Sequence, residues 1–498
     1  MRRLAEATGY EPRRTRRAAA LAALALCACA ATQPATTQPA ASVAKQDGPE
    51  KSLAPQASRV DGSQVAPSGG VEQRASAGTD AIAADDPLAI HGSLASRYRG
   101  RWSGDATDHD LYETLSLDVG DASKDPVTAH VLGRVAADLD GQTDRDNQFV
   151  YPSLADTWSD PVTGLLYEAY IDISAPPRLA ALRAGRQVDT QTPVFAHFDG
   201  VSLVSKTAET WKLRGGTYGG VPVRLYESST TGDQIFGLWG EAQPWSGGRV
   251  RMDWMHVEDK DRFSANSSDL VGANVSQRLG ERARVEANYT RLEQQNRDLR
   301  VRGSWNDPAR DLTVQLSWYR LLEEQRDYAL EFDPYFASLQ TFEPFDQIRL
   351  HAAKGLGDEL RVEGGLDLRR LQDSGDEGSF NRDYDRGWMS LVLLDVGLEG
   401  LDVTLTGDTW QSDDQDIETW AVDFSRRLDD GLVLSAGSNY ALYRYDVFLD
   451  RERDDVRLWY LRARKKLDKS WSLEASYDYQ DDDTDQYQVL TLGATWRF

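Results

Sequence analysis

Leu490-Thr491-Leu492-Gly493-Ala494-Thr495-Trp496-Arg497-Phe498, the last stretch of the sequence, decides the fold. Leu490, Leu492, Ala494, Trp496 and Phe498 all fall on alternate positions. In an extended chain successive side chains point to opposite faces, so these residues form one apolar face.

The same period recurs upstream. Trp471, Leu473, Ala475, Tyr477 and Tyr479 oppose Ser472, Glu474, Ser476 and Asp478. Leu401, Val403, Leu405 and Gly407 oppose Asp402, Thr404, Thr406 and Asp408. Leu312, Val314, Leu316 and Trp318 oppose Thr313, Gln315, Ser317 and Tyr319. Near the start of the pattern, Ile90, Gly92, Leu94, Tyr98, Gly100 and Trp102 oppose His91, Ser93, Arg97, Arg99 and Arg101, and Val131, Gly133 and Val135 oppose His130, Arg134 and Asp138. Alternation over about ten residues fits a strand with one face in lipid and the other in a polar lumen.

A soluble β-sandwich also alternates. The connections separate the two. Short turns at 467–469, 428–431, 397–400, 355–358, 306–310 and 280–281 alternate with longer polar segments at 481–485, 446–454, 372–384, 322–346 and 259–269. Alternating short and long connections are a property of membrane barrels. The reading is therefore an all-β, antiparallel transmembrane β-barrel over residues 89–498, with about 22 strands and a range of 18–24. The first two strands are placed at 90–102 and 111–120, the seventh at 209–214 and the twelfth at 297–305.

Composition agrees. Only 40% of the 498 residues are hydrophobic and 27% are charged, yet there are 14 Trp and 20 Tyr. No uncharged, continuously apolar run reaches the roughly 18–20 residues a spanning helix needs. The net charge of −24 argues against a nucleic-acid partner.

Residues 1–30 read as a signal peptide: Arg13, Arg14, Arg16 and Arg17 precede the uncharged stretch Ala18–Ala31. Leu26-Cys27-Ala28-Cys29 resembles a lipobox, which implies lipidation at Cys29. Cleavage at the small-x-small pattern Ala28-Cys29-Ala30 is the open alternative. Cys27 and Cys29 are the only cysteines, so the rest of the chain holds no disulfide. Residues 31–88, rich in Ala, Pro, Gln, Ser, Thr and Gly, are expected to be a disordered periplasmic linker.

The terminal stretch resembles the C-terminal signature of bacterial outer-membrane proteins, in which a final Phe follows an aromatic two residues before it. The resemblance implies that Trp496 and Phe498 are read by the barrel-assembly machinery. Gly185-Arg186-Gln187, followed by Phe198-Asp199-Gly200-Val201, is similar to a segment of many porin-type barrels. It implies a general porin class in the bacterial outer membrane of a Gram-negative cell, with lipid and lipopolysaccharide around it. The linker and the C-terminus are then periplasmic.

The expected function is a passive or mildly selective diffusion channel for small solutes or ions. Arg97, Arg99 and Arg101 are expected to form a cationic ladder facing Asp402, Asp408, Glu474 and Asp478 across the lumen, with Arg134 also lining it. A lumen of about 22 strands needs narrowing. Two segments are candidates: 215–233, with its glycines and Arg224, and the aromatic-rich 322–346. The alternative is a structural sheath around a partner protein in the lumen, such as a multihaem cytochrome. An outer-membrane enzyme is a third reading, but no nucleophile–base motif supports it. No cofactor or metal site is expected. The solute and the oligomeric state are not legible.

Overall fold

The computed structural model describes residues 89–498 apart from 105, 141–160, 175–177, 193–195, 224–232, 261–264, 324–342, 374–381, 413–415, 429–430, 442–443, 447–450, 454–455 and 482–485. The signal and linker regions, Cys29, Arg224 and most of 322–346 lie outside the described residues.

The strands are β1 (Ile90–Ser103), β2 (Ala106–Val119), β3 (Val127–Asp138), β4 (Val162–Ile173), β5 (Leu179–Asp189), β6 (Ala196–Ser205), β7 (Arg214–Pro222) and β8 (Gln234–Ala242). Next come β9 (Gly248–Lys260), β10 (Ala265–Leu279), β11 (Ala283–Leu292), β12 (Gln295–Asp307), β13 (Leu312–Leu321), β14 (Phe345–Gly355), β15 (Leu360–Leu371) and β16 (Tyr384–Leu393). The last are β17 (Leu401–Ser412), β18 (Asp416–Arg427), β19 (Leu432–Ala441), β20 (Arg444–Asp446), β21 (Arg451–Arg453), β22 (Val456–Lys466), β23 (Trp471–Asp481) and β24 (Gln486–Arg497). Twenty-two of them form one antiparallel sheet in which each strand pairs with its neighbours in sequence. β20 and β21 form a separate hairpin, and β19 pairs directly with β22.

The sheet closes on itself. β24 returns to β1, with Trp496 opposite Leu94 and Leu490 opposite Gly100. Closure leaves no edge of unpaired backbone N–H and C=O groups, the condition for crossing a hydrocarbon layer. The seam is locked at the terminal end of the barrel, where the start of β1 meets residue 498. Phe498 N–H donates to Gly92 O at 3.0 Å, and Gly92 N–H donates to Phe498 O at 3.0 Å. The Phe498 ring lies over Gly92, where a Cβ would collide with it. Trp496 sits 4.7 Å from Phe498 and 6.2 Å from Trp471, centroid to centroid.

The two faces segregate by parity. Leu94, Leu115, Val135, Val271, Leu316, Ile348, Leu405, Leu461 and Leu492 are exposed, and each stands on the outward face of its strand. The ion pairs of the barrel interior described below stand on the alternate positions of these and neighbouring strands. An apolar outer band over a polar interior is the surface that a bilayer core demands.

Connections at the end where the termini meet are compact. Gly431 (φ 78°) and Asp311 (φ 45°) turn the chain there in left-handed conformations. Apart from the tight turns at 104–105 and 293–294, connections at the opposite, far end include the long ones at 139–161, 322–344 and 372–383.

Three expected boundaries are corrected. The seventh strand is Arg214–Pro222, not 209–214; residues 210–212 form a short 3-10 turn. The Gly-rich run Gly215–Gly220, read from the sequence as part of an inward loop, is therefore a barrel strand. It tolerates its glycines because aromatic rings of β8 fill their places: Trp239 lies over Gly216, and Phe236 over Gly219. The segment 259–269 is largely ladder, since β9 and β10 keep pairing out to Lys260 and Ala265. The second strand begins at Ala106 rather than 111, so β1 and β2 form a tight hairpin around Gly104 (φ 55°).

Candidate functional site: the lumen wall

The inward face has sectors of different chemistry. On β1–β5 it is a network of arginines, carboxylates and tyrosines. The β1–β2 register sets Arg99 opposite Asp110 and Arg101 opposite Asp108. Arg99 donates to Asp110 Oδ2 from Nε at 3.0 Å and from Nη2 at 2.7 Å. Arg101 Nη2 donates to the same oxygen at 3.2 Å and also pairs with Asp108. Tyr112 donates to it at 3.0 Å and accepts from Arg99. Asp110 is fully buried. An anion so placed needs charged donors, because burial without them costs several kcal/mol. Arg134 lies over the rings of Tyr112 and Tyr167 at 5.3 and 5.5 Å. Arg183 grips Asp172 in a bidentate pair at 2.8 Å and covers the Tyr170 ring at 3.7 Å.

At the far end of this sector the carboxylates of Asp108, Asp138 and Asp140 lie within 4.8 Å of one another. Asp140 stands just beyond β3. Burial, then the hydrogen bond and charge of Asp138, push its carboxyl up to about 6.

The sector β5–β11 is packed and apolar at its far end. Ala196, Phe198, Tyr218, Ile235, Met255, Val257, Leu270 and Leu292 form one buried cluster. The connection after β5 folds over it. Thr192 shares a 3.0 Å hydrogen bond with the Tyr218 hydroxyl and lies 3.8 Å from Met255 Sδ. Arg251 Nη1 donates to Gln191 Oε1 at 2.9 Å. An inward connection therefore exists among the described residues at 190–192, while 224–232 and 324–342, from the two segments expected from the sequence, lie outside the described residues. Beneath it, Gly185, Gly200 and Gly220 stand in one row across β5, β6 and β7. A Cβ at Gly200 or Gly220 would run into the carbonyl of the next strand.

That row explains the Gly-Arg-Gln and Phe-Asp-Gly-Val segments, which prove to be cross-strand partners. Arg186 faces Asp199 and holds it with two 2.7 Å hydrogen bonds. Gln187, opposite Phe198, donates to Gly200 O at 3.1 Å and accepts from Ser202 at 2.6 Å.

On β14–β17 ion pairs alternate with aromatic rings. Arg349 Nε donates to Asp367 Oδ2 at 3.0 Å, and Arg386 donates to Asp408 Oδ2 at 3.0 Å from Nε and 2.5 Å from Nη2. On β22 and β23, Arg462 and Asp478 approach to 3.8 Å.

Several of the residues singled out from the sequence sit beside counter-charges on nearby strands. Arg97 pairs with Glu474 at 3.1 Å, across the closing strand β24. Asp408 is held by Arg386 and Asp478 by Arg462. Asp402 accepts from Asp395 N–H at 3.2 Å and ties down the turn before β17. Of the carboxylates expected opposite the arginines, Glu474 stands beside Arg97, while Asp402 and Asp408 lie on β17 and Asp478 pairs with Arg462. The sequence reading missed Asp108 and Asp110 as the partners of Arg99 and Arg101. Their equal spacing about Gly104 is the signal that identifies them, once the turn is known to be tight.

A closed barrel with an apolar outer band and an interior of ion pairs is a membrane-spanning β-barrel. No protein-family model and no curated protein sequence matches the chain. Solved structures do resemble it. The siderophore receptor PirA from Pseudomonas aeruginosa is 11% identical, with 82% of this chain and 80% of that one covered and a TM-score of 0.49. The translocation pore of the P pilus usher PapC is 10% identical over 82% of this chain and 99% of that one, with a TM-score of 0.45. OccAB4 from Acinetobacter baumannii is 10% identical, covering 82% and 97%, at a TM-score of 0.41.

Proposed function

We propose that the chain is a pore-forming barrel of the Gram-negative outer membrane that passes small polar solutes, and is not an enzyme. The observation that supports this best is the polar, ion-paired inner face of a closed 22-stranded sheet. Barrels of 16–18 strands already enclose an aqueous channel, so this one is wide enough to conduct. The inward fold at 190–192 narrows one side of it. Because many of the inward charges are paired with a counter-charge on a nearby strand, ion selectivity is expected to be weak.

In this reading the termini end is periplasmic and the long far-end connections face outward. Residues 1–30 direct export, with Cys29 as the candidate lipid attachment, and 31–88 link the barrel to the periplasm. The barrel-assembly machinery recognises Trp496 and Phe498. Lipid and lipopolysaccharide surround the outer band.

Planar-bilayer recordings of refolded protein test the channel. Discrete conductance steps with an anion/cation permeability ratio of about 1 are expected; a folded barrel that conducts nothing overturns the proposal. The strand number also favours a second reading, a sheath around a separate protein such as a multihaem cytochrome. A very large, featureless conductance of the protein alone, with co-purification of such a partner from native membranes, would establish that reading instead.

A further inference from the structure

Aromatic rings inside a hydrated barrel require a reason, because water is a poor neighbour for them. The far half of β13–β17 carries an arc of such rings on the inward face. Tyr319 and Phe345 lie 5.4 Å apart, centroid to centroid. Tyr384 and Trp410 stack at 4.2 Å with planes 23° apart. One tier nearer the termini, Trp388 reaches across Gly365 towards His351, 5.6 Å away at 22°. Gly365 makes that posture possible, since a Cβ there would meet the indole nitrogen. The register confirms that these rings face inward: Trp410 stands opposite Arg386, and Trp388 opposite Asp408, while the next residue, Met389, is exposed on the outer face.

All five rings are half-buried rather than sealed, unlike the covered cluster on β5–β11. Between them lie the two ion pairs, Arg349–Asp367 and Arg386–Asp408. Each pair offers fixed donors beside fixed acceptors and carries no net charge. Ser390 and Thr406, joined at 2.7 Å, add hydroxyls below. Lumen-facing positions along a strand repeat every ~6.6 Å. On β16 and β17 they read Tyr384, then Arg386 with Trp410, then Trp388 with Asp408, then Ser390 with Thr406.

We infer that this wall is a track for neutral oligosaccharides; the inference rests on the pore reading and names its substrate class. A sugar ring has flat C–H faces, which suit the negative face of an aromatic quadrupole. Its edge carries hydroxyls that both donate and accept, which suits neutralised Arg–Asp pairs. A simple anion would instead require guanidinium groups free of adjacent carboxylates. The alternation of rings with ion pairs along one strand pair lets a chain of sugars pass from tier to tier without leaving the wall.

The experiment is current blockade in the refolded full barrel, with maltohexaose and cellohexaose as separate probes. At least one is expected to interrupt the ion current at millimolar concentration. Trp388→Ala and Trp410→Ala should each weaken that blockade by tenfold or more while leaving open-pore conductance within twofold. Trp420→Ala, which removes an exposed outward ring, should change neither. If the barrel conducts and neither sugar interrupts the current, the track is overturned and the pore stands. Blockade that is equal in all variants overturns it too. Absence of any conductance defeats the pore reading itself. Heat-shifted gel mobility of each variant shows that it has folded, so a lost blockade is not a lost barrel.

Discussion

Leu316→Arg compared with Gln315→Arg tests the assignment of faces at adjacent residues. Leu316 is 50% exposed although it is a large aliphatic residue in the interior of β13. Its cross-strand partners are Gly303 and Leu350, and exposed Ile348 lies on the same face. Since β13 runs from Leu312 to Leu321, Leu316 is halfway along it, near the bilayer midplane. An arginine on the lipid face at that depth costs about 2–4 kcal/mol. The neighbouring sheet offers it no carboxylate, because its partners on that face are apolar. Gln315 is exposed on the inner face between Ser304 and His351, with Glu363 two strands away. An arginine there stays hydrated, so Gln315→Arg should shift stability by no more than about 0.5 kcal/mol, as surface changes do. Denaturant-induced unfolding in lipid vesicles, followed by tryptophan fluorescence, measures both. Equal losses, or a larger loss for Gln315→Arg, would show that the inward and outward faces have been exchanged.

Further outcomes follow from the same geometry. Asp110→Ala leaves Arg99 and Arg101 without their shared acceptor and should lower stability by about 3–5 kcal/mol in the same assay; a change below 1 kcal/mol would mean that the network is not cohesive. Phe498→Ser removes the ring over Gly92 at the seam and should sharply reduce the heat-modifiable form in membranes, which quantitative gels of boiled and unboiled samples report. Asp140 has its carboxyl raised from 3.8 to about 6, so the folded state holds that proton more tightly than the unfolded chain. Its contribution is therefore full below about 3.8 and lost as pH rises to about 6. Asp140→Asn should raise the thermal midpoint near pH 7 relative to the parent and change it little near pH 4; the reverse pattern would contradict the assignment.

Much of the architecture is legible in the sequence because period-two alternation is a local property. Leu312 to Tyr319 announces its two faces without reference to any other strand, and the strand count and closed sheet follow from repeating that reading. Two kinds of information are not local. Gly215–Gly220 looks like a loop because glycine weakens an isolated strand; it is a strand here because Trp239 and Phe236, on the neighbouring strand β8, supply the missing contacts. The run at 259–269 looks like a loop because it is polar, yet an antiparallel ladder can continue past the apolar band. The charge pattern is similarly hidden. Arg99 and Arg101 read as a cationic row until the register places Asp110 and Asp108 against them, and register is fixed by the turn at Gly104 rather than by any residue of the row.

Every ladder of the large sheet but two joins strands that follow each other in the chain: β19 skips the β20–β21 hairpin to reach β22, and at the seam β1 waits for β24. A growing sheet of this kind has two raw margins until its final strand arrives, and raw margins pair with whatever extended chain is near. The backbone from Ser93 to Trp102 is thus a template held open for most of the time the molecule takes to form. The interlocked Phe498, Gly92, Trp496 and Trp471 act as the clasp of a belt: they add little to the strap, yet without them it does not stay fastened. Variants that spare the wall but blunt the clasp should therefore fail by sticking to other molecules before they close, not by coming apart afterwards.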